Sequence, residues 1–392
     1  MTVSPPLISK PTNAEPLKRS GKLEEYRHKI SVPAIGTEFL DVDLVGLMEA
    51  PNADELLRDI AVLGSCMNGI AHVSRLTPYL FISVSERGVV MFRNQTRLDA
   101  EKHKELIDRL GALSGRPKAN GLLKHVLHPF YDDDPEVITL IPERVASRYG
   151  FTESSYKRQN HSKEWHTDMA FEKDPPAYSS LKLADVPKTG GDTMWVSLYD
   201  AYDRLSAPFQ RLFEGLTATW AMPSYRTYEK DPKSYKGPRG SPRNADFDFE
   251  AIHPCVRTNP VTGWKALWVG GGHCAFVNNV TPEENSDLMN VVQRLITANH
   301  DIQVRYRWEH SNDIAIWDNR CCLHIPTRDQ EGKRLGYRVL SVGETPYYDP
   351  KSISKLEEME ALYPERLTDK DWRTANLLGA NGSGTKDYRW SA

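Results

Sequence analysis

The sequence predicts a β-rich α+β fold, a sandwich of short strands with helices on its flanks. Three observations predict it. Apolar runs of strand length recur along most of the chain, amphipathic helical periods concentrate near the start and in one late insertion, and residue types suited to one site lie far apart. A doubly wound nucleotide-binding fold fits less well, because Gly270-Gly271-Gly272 does not make the dinucleotide fingerprint and no Walker-type lysine loop is present. With 392 residues the chain is long for one domain and short for three, so one large domain with insertions is expected over residues 23–375.

Taken in order, residues 1–22, with Pro5, Pro6, Pro11 and Pro16 among several lysines, read as a flexible leader, and 376–392, with Asn381-Gly382-Ser383-Gly384, as a flexible tail. From Asn52 to Gly64, Leu56, Leu57, Ile60 and Leu63 recur at helical spacing, with acidic residues early and a glycine at the stop. This predicts a surface helix with one buried stripe. Gly88 to Phe92 is an apolar run of strand length, and Leu98 to Leu113 sets Leu106, Ile107 and Leu110 among charges as a second amphipathic helix does. The pattern then turns strand-like in Leu127 to Tyr131 and, after an acidic turn at Asp132 to Asp134, in Val137 to Ile141. Tyr178 to Leu183 and the stretch entered through Gly190-Gly191 are further strands, and Ala207 to Leu216 is helical in tone. Tyr225 to Glu250 is crowded with Lys, Arg, Pro, Gly and Tyr without a sustained period, so it reads as a long loop or insertion. A lid over a site and a solvated surface loop are both open readings of it. Val256 to Asn259 and Trp264 to Val269 form a hairpin around Pro260 to Gly263. Thr281-Pro282-Glu283-Glu284 is a capping box opening a helix to about His300, after which Ile302, Val304, Tyr306 and Trp308 alternate with polar residues as a half-buried strand requires.

A formal net charge of -3 and a pI near 6.5 argue against a protein built for nucleic acid or acidic membrane surfaces, either of which would want a basic field. The five cysteines are odd in number and show no CxxC spacing, so neither a disulfide framework nor a zinc knuckle is suggested. No apolar run approaches bilayer length and no signal-peptide core opens the chain, so a soluble, cytoplasmic protein is expected. Its expected partner is a small-molecule substrate, with homo-oligomerisation left open.

Trp165-His166-Thr167-Asp168 supplies two metal-ligand types in a His-x-Asp arrangement. If the segment is extended, side chains two apart share a face, and His166 and Asp168 converge on one point. Far downstream, Asp313 to Arg320 leads through Cys321-Cys322-Leu323 to His324, a third ligand. Two histidines and one carboxylate form the facial triad of non-haem Fe(II) oxygenases, with open positions for substrate chemistry. His-x-Asp alone is more often a satisfied polar pair at a strand end; the second cluster tips the balance. Lys333 to Arg338 then places Arg334 and Arg338 four apart. An Fe(II) oxygenase that uses a keto diacid needs a guanidinium to grip the distal carboxylate, because a planar fork fixes the acid's direction.

With these stretches in place, the sequence resembles the taurine dioxygenase (TauD/TfdA) group of Fe(II)/2-oxoglutarate-dependent oxygenases, including its fungal sulfonate dioxygenase-like members. The resemblance runs from about Gly88 to about Pro346. It is carried, in order, by Trp165 to Asp168, Gly190 to Trp195, Val256 to Gly263, Ile316 to Arg320 ending at His324, and Arg334 to Arg338. It implies a double-stranded β-helix, or jelly roll, in agreement with the β-rich reading. It further implies that His166, Asp168 and His324 ligate iron at the catalytic centre, that Thr193 and Arg334 hold the distal carboxylate of 2-oxoglutarate, and that Arg338 binds the substrate's anionic group. His128 and Tyr131, in His128-Pro129-Phe130-Tyr131, match a motif whose histidine and tyrosine contact substrate. Two positions depart from the taurine-type pattern: Ser162 stands where an asparagine contacts substrate, and His273 where a phenylalanine does. The anion grip is kept while the rest of the pocket is rebuilt, so a small carboxylate such as an amino acid is expected rather than taurine.

The implied reaction consumes Fe(II)-bound 2-oxoglutarate and O2, releases succinate and CO2, and oxidises an unactivated C–H bond. Hydroxylation is the family default; desaturation, ring closure or C–N bond formation in specialised metabolism, and sulfite release from a sulfonate, stay open. A non-catalytic binding protein on the same fold would be expected to have lost some of these ligands. A zinc hydrolase would need a positioned base, and no HExxH or comparable motif is present.

Overall fold

The computed structural model describes residues 16–17, 20–61, 84–126, 134–141 and 160–362. Along the chain the strands are β1 (His28–Ile30), β2 (Thr37–Phe39), β3 (Val89–Phe92), β4 (Ile138–Leu140), β5 (Pro176–Asp185), β6 (Thr193–Ser197), β7 (Thr217–Ala221), β8 (Glu250–Pro254), β9 (Val256–Thr258), β10 (Lys265–Leu267), β11 (Cys274–Val277), β12 (Gln303–Tyr306), β13 (Ile314–Asp318), β14 (Cys322–Pro326) and β15 (Leu335–Val342). The helices are α1 (Leu44–Glu49), α2 (Ala53–Ala61), α3 (Val84–Arg87), α4 (Ala100–Leu113), α5 (Leu198–Asp203), α6 (Ala207–Glu214), α7 (Pro282–Ala298) and α8 (Lys355–Leu362).

The largest sheet runs β1-β2-β3-β13-β5-β15-β4, and a second runs β12-β6-β14. Successive residues in a strand point to opposite faces, and the core divides accordingly. Val90, Phe92, Ile314, Ile316 and Val339 join Leu44, Leu57, Ile60, Leu106 and Leu110 of α1, α2 and α4, so helices cover one face of the large sheet. Their neighbours Val89, Met91, Ala315 and Trp317, with Leu181 and Leu183 of β5, join Trp195, Val304, Tyr306 and Cys322 of the second sheet. The two sheets therefore share a core, and a β sandwich with flanking helices is what the residues build. Beyond the second sheet, Val196, Leu323 and Ile325 pack with Trp220, Trp268 and the buried stripe of α7, Leu288, Val292 and Ile296. Two smaller sheets, β11-β7-β8 and β9-β10, lie in this outer layer.

Local chemistry accounts for several boundaries. The capping box forms, with Thr281 and Glu284 satisfying each other's backbone N–H groups at the start of α7. Asp99 caps α4, whose Leu106, Ile107 and Leu110 are buried as the period requires. The hairpin pairs Lys265 with Thr258 and Leu267 with Val256. Between Pro223–Lys230, a 3-10 segment, and β8 the chain is irregular, in keeping with a long loop.

Within the expected leader, Ser20 donates from its backbone N and its hydroxyl to the two carboxylate oxygens of Asp59, each at 2.7 Å. Helices α5 and α8 form in addition to those expected. At six residues α5 is too short to show a period, and Ser197 caps it by accepting from Asp200 N. The strand expected at Leu127 to Tyr131 lies outside the described residues, as do Leu63, Gly64, the first fifteen residues and the expected tail. Among the described residues no helix is long and apolar enough to cross a membrane.

Candidate metal centre and anion site

Backbone pairing brings the two candidate histidines together. His166 and His324 exchange both hydrogen bonds, His166 N to His324 O at 3.0 Å and His324 N to His166 O at 2.8 Å. Residues paired in this way project their side chains to the same face. The Trp165–Thr167 segment thus docks along β14, whose other edge pairs with β6. The chain leaves the strand direction at Asp168, which opens a turn where Met169 adopts φ 48°. The expected convergence is observed: one ligand atom from each of His166, Asp168 and His324 lies within 4.8 Å of the others.

Their surroundings suit a metal. His166 Nδ1 lies 2.8 Å from Glu164 O, which must accept, so the proton sits on Nδ1 and the Nε2 lone pair is free. Arg338 Nη2 donates to Asp168 Oδ1 and to His324 Nε2, each at 2.8 Å, so these two lone pairs converge on a common point. Burial holds His166 below the usual histidine range, and burial followed by the neighbouring His166 and Arg338 holds His324 well below it. Both rings are thus neutral near pH 7, the form that ligates metal. The donor set, two imidazoles and a carboxylate on one side of a point, fits Fe(II).

Arg334 and Thr193 flank the same glycine turn and its strand. Arg334 is 8% exposed; its Nε donates to Gly191 O at 3.0 Å while its Nη2 is buried without a partner. Burial, with Arg328 and Arg338 nearby, pushes its guanidinium down to about 10. Gly190 and Gly191 hold φ of 68° and 66°, and a Cβ on Gly191 would stand 3.1 Å from Arg334 Cδ, so glycine lets the turn meet the arginine stem. Thr193, two residues on, accepts from Trp308 Nε1 at 3.2 Å. A buried guanidinium edge with no partner is a fitting cradle for a carboxylate.

His273 joins the centre from the loop after β10: its ring is 5.7 Å from His166 and 5.2 Å from Phe171, and Nδ1 faces Thr167 O at 3.3 Å. Burial and the nearby His166 push it down to about 4. Ser162 is tied through its backbone to Asn160 Oδ1 and Gln293 Nε2. His128 and Tyr131 lie outside the described residues. The long segment flanks the ligand turn: Tyr225 and Phe249 pack edge-on to Phe171, and Arg239 makes a buried two-point ion pair with Glu172 at 2.6 and 2.8 Å.

Two residues at the centre were given no role in the sequence. Ser179 Oγ donates to Asp168 Oδ2 at 2.6 Å, and Asn319 Nδ2 donates to Ser179 Oγ at 2.7 Å. Fully buried serines inside the apolar run Tyr178 to Leu183 were the available signal.

Fold and donor set together fit a mononuclear non-haem metal site. The family model "Taurine catabolism dioxygenase TauD, TfdA family" matches residues 81–340. The chain is 46% identical over 356 residues, covering 90% of it and 98% of the relative, to alpha-ketoglutarate-dependent dioxygenase oryG of Aspergillus oryzae. It is 40% identical over 356 residues, covering 88% and 98%, to alpha-ketoglutarate-dependent dioxygenase btcD of Neocamarosporium betae. Its fold is shared with a crystal structure of a taurine dioxygenase from Burkholderia xenovorans, at a TM-score of 0.58 and 24% identity, covering 83% of this chain and 94% of that one. The chain belongs to the TauD/TfdA family. It is an oxidoreductase of the alpha-ketoglutarate-dependent dioxygenase class, which uses Fe(II), 2-oxoglutarate and O2.

Proposed function

We propose that this dioxygenase oxidises an unactivated C–H bond of a small substrate bearing an anionic group, an amino acid or related carboxylate, with release of succinate and CO2. The supporting observation is the convergence of His166, Asp168 and His324 within 4.8 Å beside a cation, Arg338, 2.8 Å from Asp168. In this reading those three residues hold iron on a double-stranded β-helix, the two sheets of which supply the two faces of the site. Thr193 and Arg334 hold the distal carboxylate of 2-oxoglutarate. Arg338, whose Nε is buried without a partner, takes the substrate's anion, and His273 and Ser162, with His128 and Tyr131, shape the remaining wall.

Bound iron supplies the redox chemistry that couples decarboxylation of the keto acid to oxidation of the substrate. The chain's own residues position and enclose. His166 Nδ1–H donates to Glu164 O, Trp317 lies 4.8 Å from the His324 ring and under the Arg338 guanidinium, and Phe171 with His273 closes another side. Movement of the 225–250 segment as a lid would have to break the buried Arg239–Glu172 pair, so a fixed wall is the reading its anchors support.

The test is succinate release by the Fe(II)-loaded protein with 2-oxoglutarate and O2, over a panel of amino acids and alkyl sulfonates with product masses read in parallel. Stimulation by an amino acid is the expected result, a gain of one oxygen marking a hydroxylase and a loss of two hydrogens a desaturase or cyclase. Stimulation by a sulfonate alone, with sulfite release, would replace this reading with the sulfonate dioxygenase one.

A further inference from the structure

We propose that Ser179 and Asn319 are positioning residues that restrict Asp168 to one metal-facing oxygen, an inference that rests on reading His166, Asp168 and His324 as the iron ligands. The two carboxylate oxygens have different surroundings. Oδ1 lies 3.8 Å from His324 Nε2 and 2.8 Å from Arg338 Nη2, whereas Oδ2 accepts from Ser179 Oγ at 2.6 Å.

The direction of each proton follows from the partners. Asp168 N, at 3.2 Å, and Trp317 Nε1, at 3.1 Å, can only donate, and both meet the same atom of the Asn319 amide, which must be its oxygen. Nδ2 therefore faces Ser179 and donates to its hydroxyl at 2.7 Å. With its oxygen engaged as acceptor, Ser179 sends its own proton to Asp168 Oδ2. The relay is sealed from water: Ser179 and Asn319 are 0% exposed and Asp168 2%. Its base is rigid, because Ser179 sits in β5 opposite Trp317 of β13 on one side and Leu340 of β15 on the other. In the low-dielectric interior a short hydrogen bond to a carboxylate holds that oxygen firmly.

The consequence concerns how many positions stay open. A facial triad leaves room for a chelating keto acid and O2 only when its carboxylate contributes one oxygen; a second would occupy a position the chemistry needs. Ser179 takes up Oδ2, and Asn319 both aims that hydroxyl and pins the backbone of Asp168 through its N–H. One amide thus fixes the side chain and the main chain of the same ligand.

The experiment is a Co(II) titration of the metal-free, full-length protein followed by visible absorption, which reads affinity and coordination number, with thermal unfolding of each metal-free variant alongside. Ser179→Ala is expected to weaken Co(II) binding about ten- to hundredfold and to change the absorption envelope. Ser179→Thr, which keeps the hydroxyl, should stay within about threefold of the parent, because only the donor matters to Asp168. Asn319→Ala should act in the same direction as Ser179→Ala, and the double variant should lose less than the two singles combined, as members of one relay do. Parent-like affinity and spectrum in Ser179→Ala would overturn the proposal, and so would equal weakening by alanine and threonine. Should Ser179→Ala fail to fold, Asn319→Ala decides on the same criterion. A parent protein that binds no Co(II) would overturn the ligand assignment itself, whereas a parent that binds and an indifferent Ser179→Ala would overturn the relay alone.

Discussion

Replacing Arg334 by methionine separates what a buried guanidinium costs from what it binds. Its Nε donates to Gly191 O at 3.0 Å and its Nη2 has no partner. The drop to about 10 corresponds to about 3 kcal/mol against the charged form. Methionine keeps the apolar volume, removes that charge and leaves the Gly191 carbonyl without its donor, a loss of about 1–3 kcal/mol. The two terms nearly cancel, so without 2-oxoglutarate the variant should be no less stable than the parent and up to about 2 kcal/mol more stable. With 2-oxoglutarate the sign reverses. A hydrogen bond to a charged group contributes about 1.5–3 kcal/mol, so losing the grip should raise the KM for 2-oxoglutarate roughly ten- to hundredfold. Thermal unfolding without the keto acid and succinate release against its concentration are the two assays. A melting temperature several degrees lower, with the 2-oxoglutarate requirement within twofold of the parent, would mean the guanidinium is a structural brace and refute the reasoning.

Arg338→Met should raise the substrate requirement far more than that for 2-oxoglutarate, the reverse of Arg334→Met; equal effects in steady-state kinetics would show that the division between the two arginines is wrong. Arg239→Met strips the partner from a buried carboxylate, so urea unfolding should show a loss of about 3–5 kcal/mol, much of it recovered by adding Glu172→Leu; a loss near zero would show that the pair does not anchor the 225–250 segment. Burial pushes His103, beside Ser180, and His253, beside two backbone carbonyls, each down to about 3. The unfolded chain takes up protons below about 6.5 while these two folded rings stay neutral, so stability falls as pH drops from that value towards 3, by about 2 kcal/mol per ring at pH 5. A urea midpoint unchanged between pH 7 and pH 5 would contradict this.

The legible parts of the fold were those with a local signature. The Thr281 capping box, the period of Leu106, Ile107 and Leu110, and the alternation around Val304 and Tyr306 all state their structure within a few residues. Helix α5 was not legible because six residues complete fewer than two turns. At the site, ligand types and order could be read from His166, Asp168 and His324, but the backbone pairing that joins His166 to His324 could not, since nothing local specifies a partner so far along the chain. Asn319 lies within the Ile316–Arg320 motif and Ser179 within an expected strand. Their roles appear only once β5 and β13 are neighbours, because a relay depends on register between strands and not on spacing along one.

Three side chains sharing one metal ion are central to the proposed activity, and an anaerobic Fe(II) titration of the metal-free parent and of His166→Ala, Asp168→Ala and His324→Ala tests that most directly. One equivalent bound by the parent, with each variant losing high-affinity binding while melting within a few degrees of it, is the predicted result. Full stoichiometry at parent affinity in any of the three folded variants would contradict the assignment.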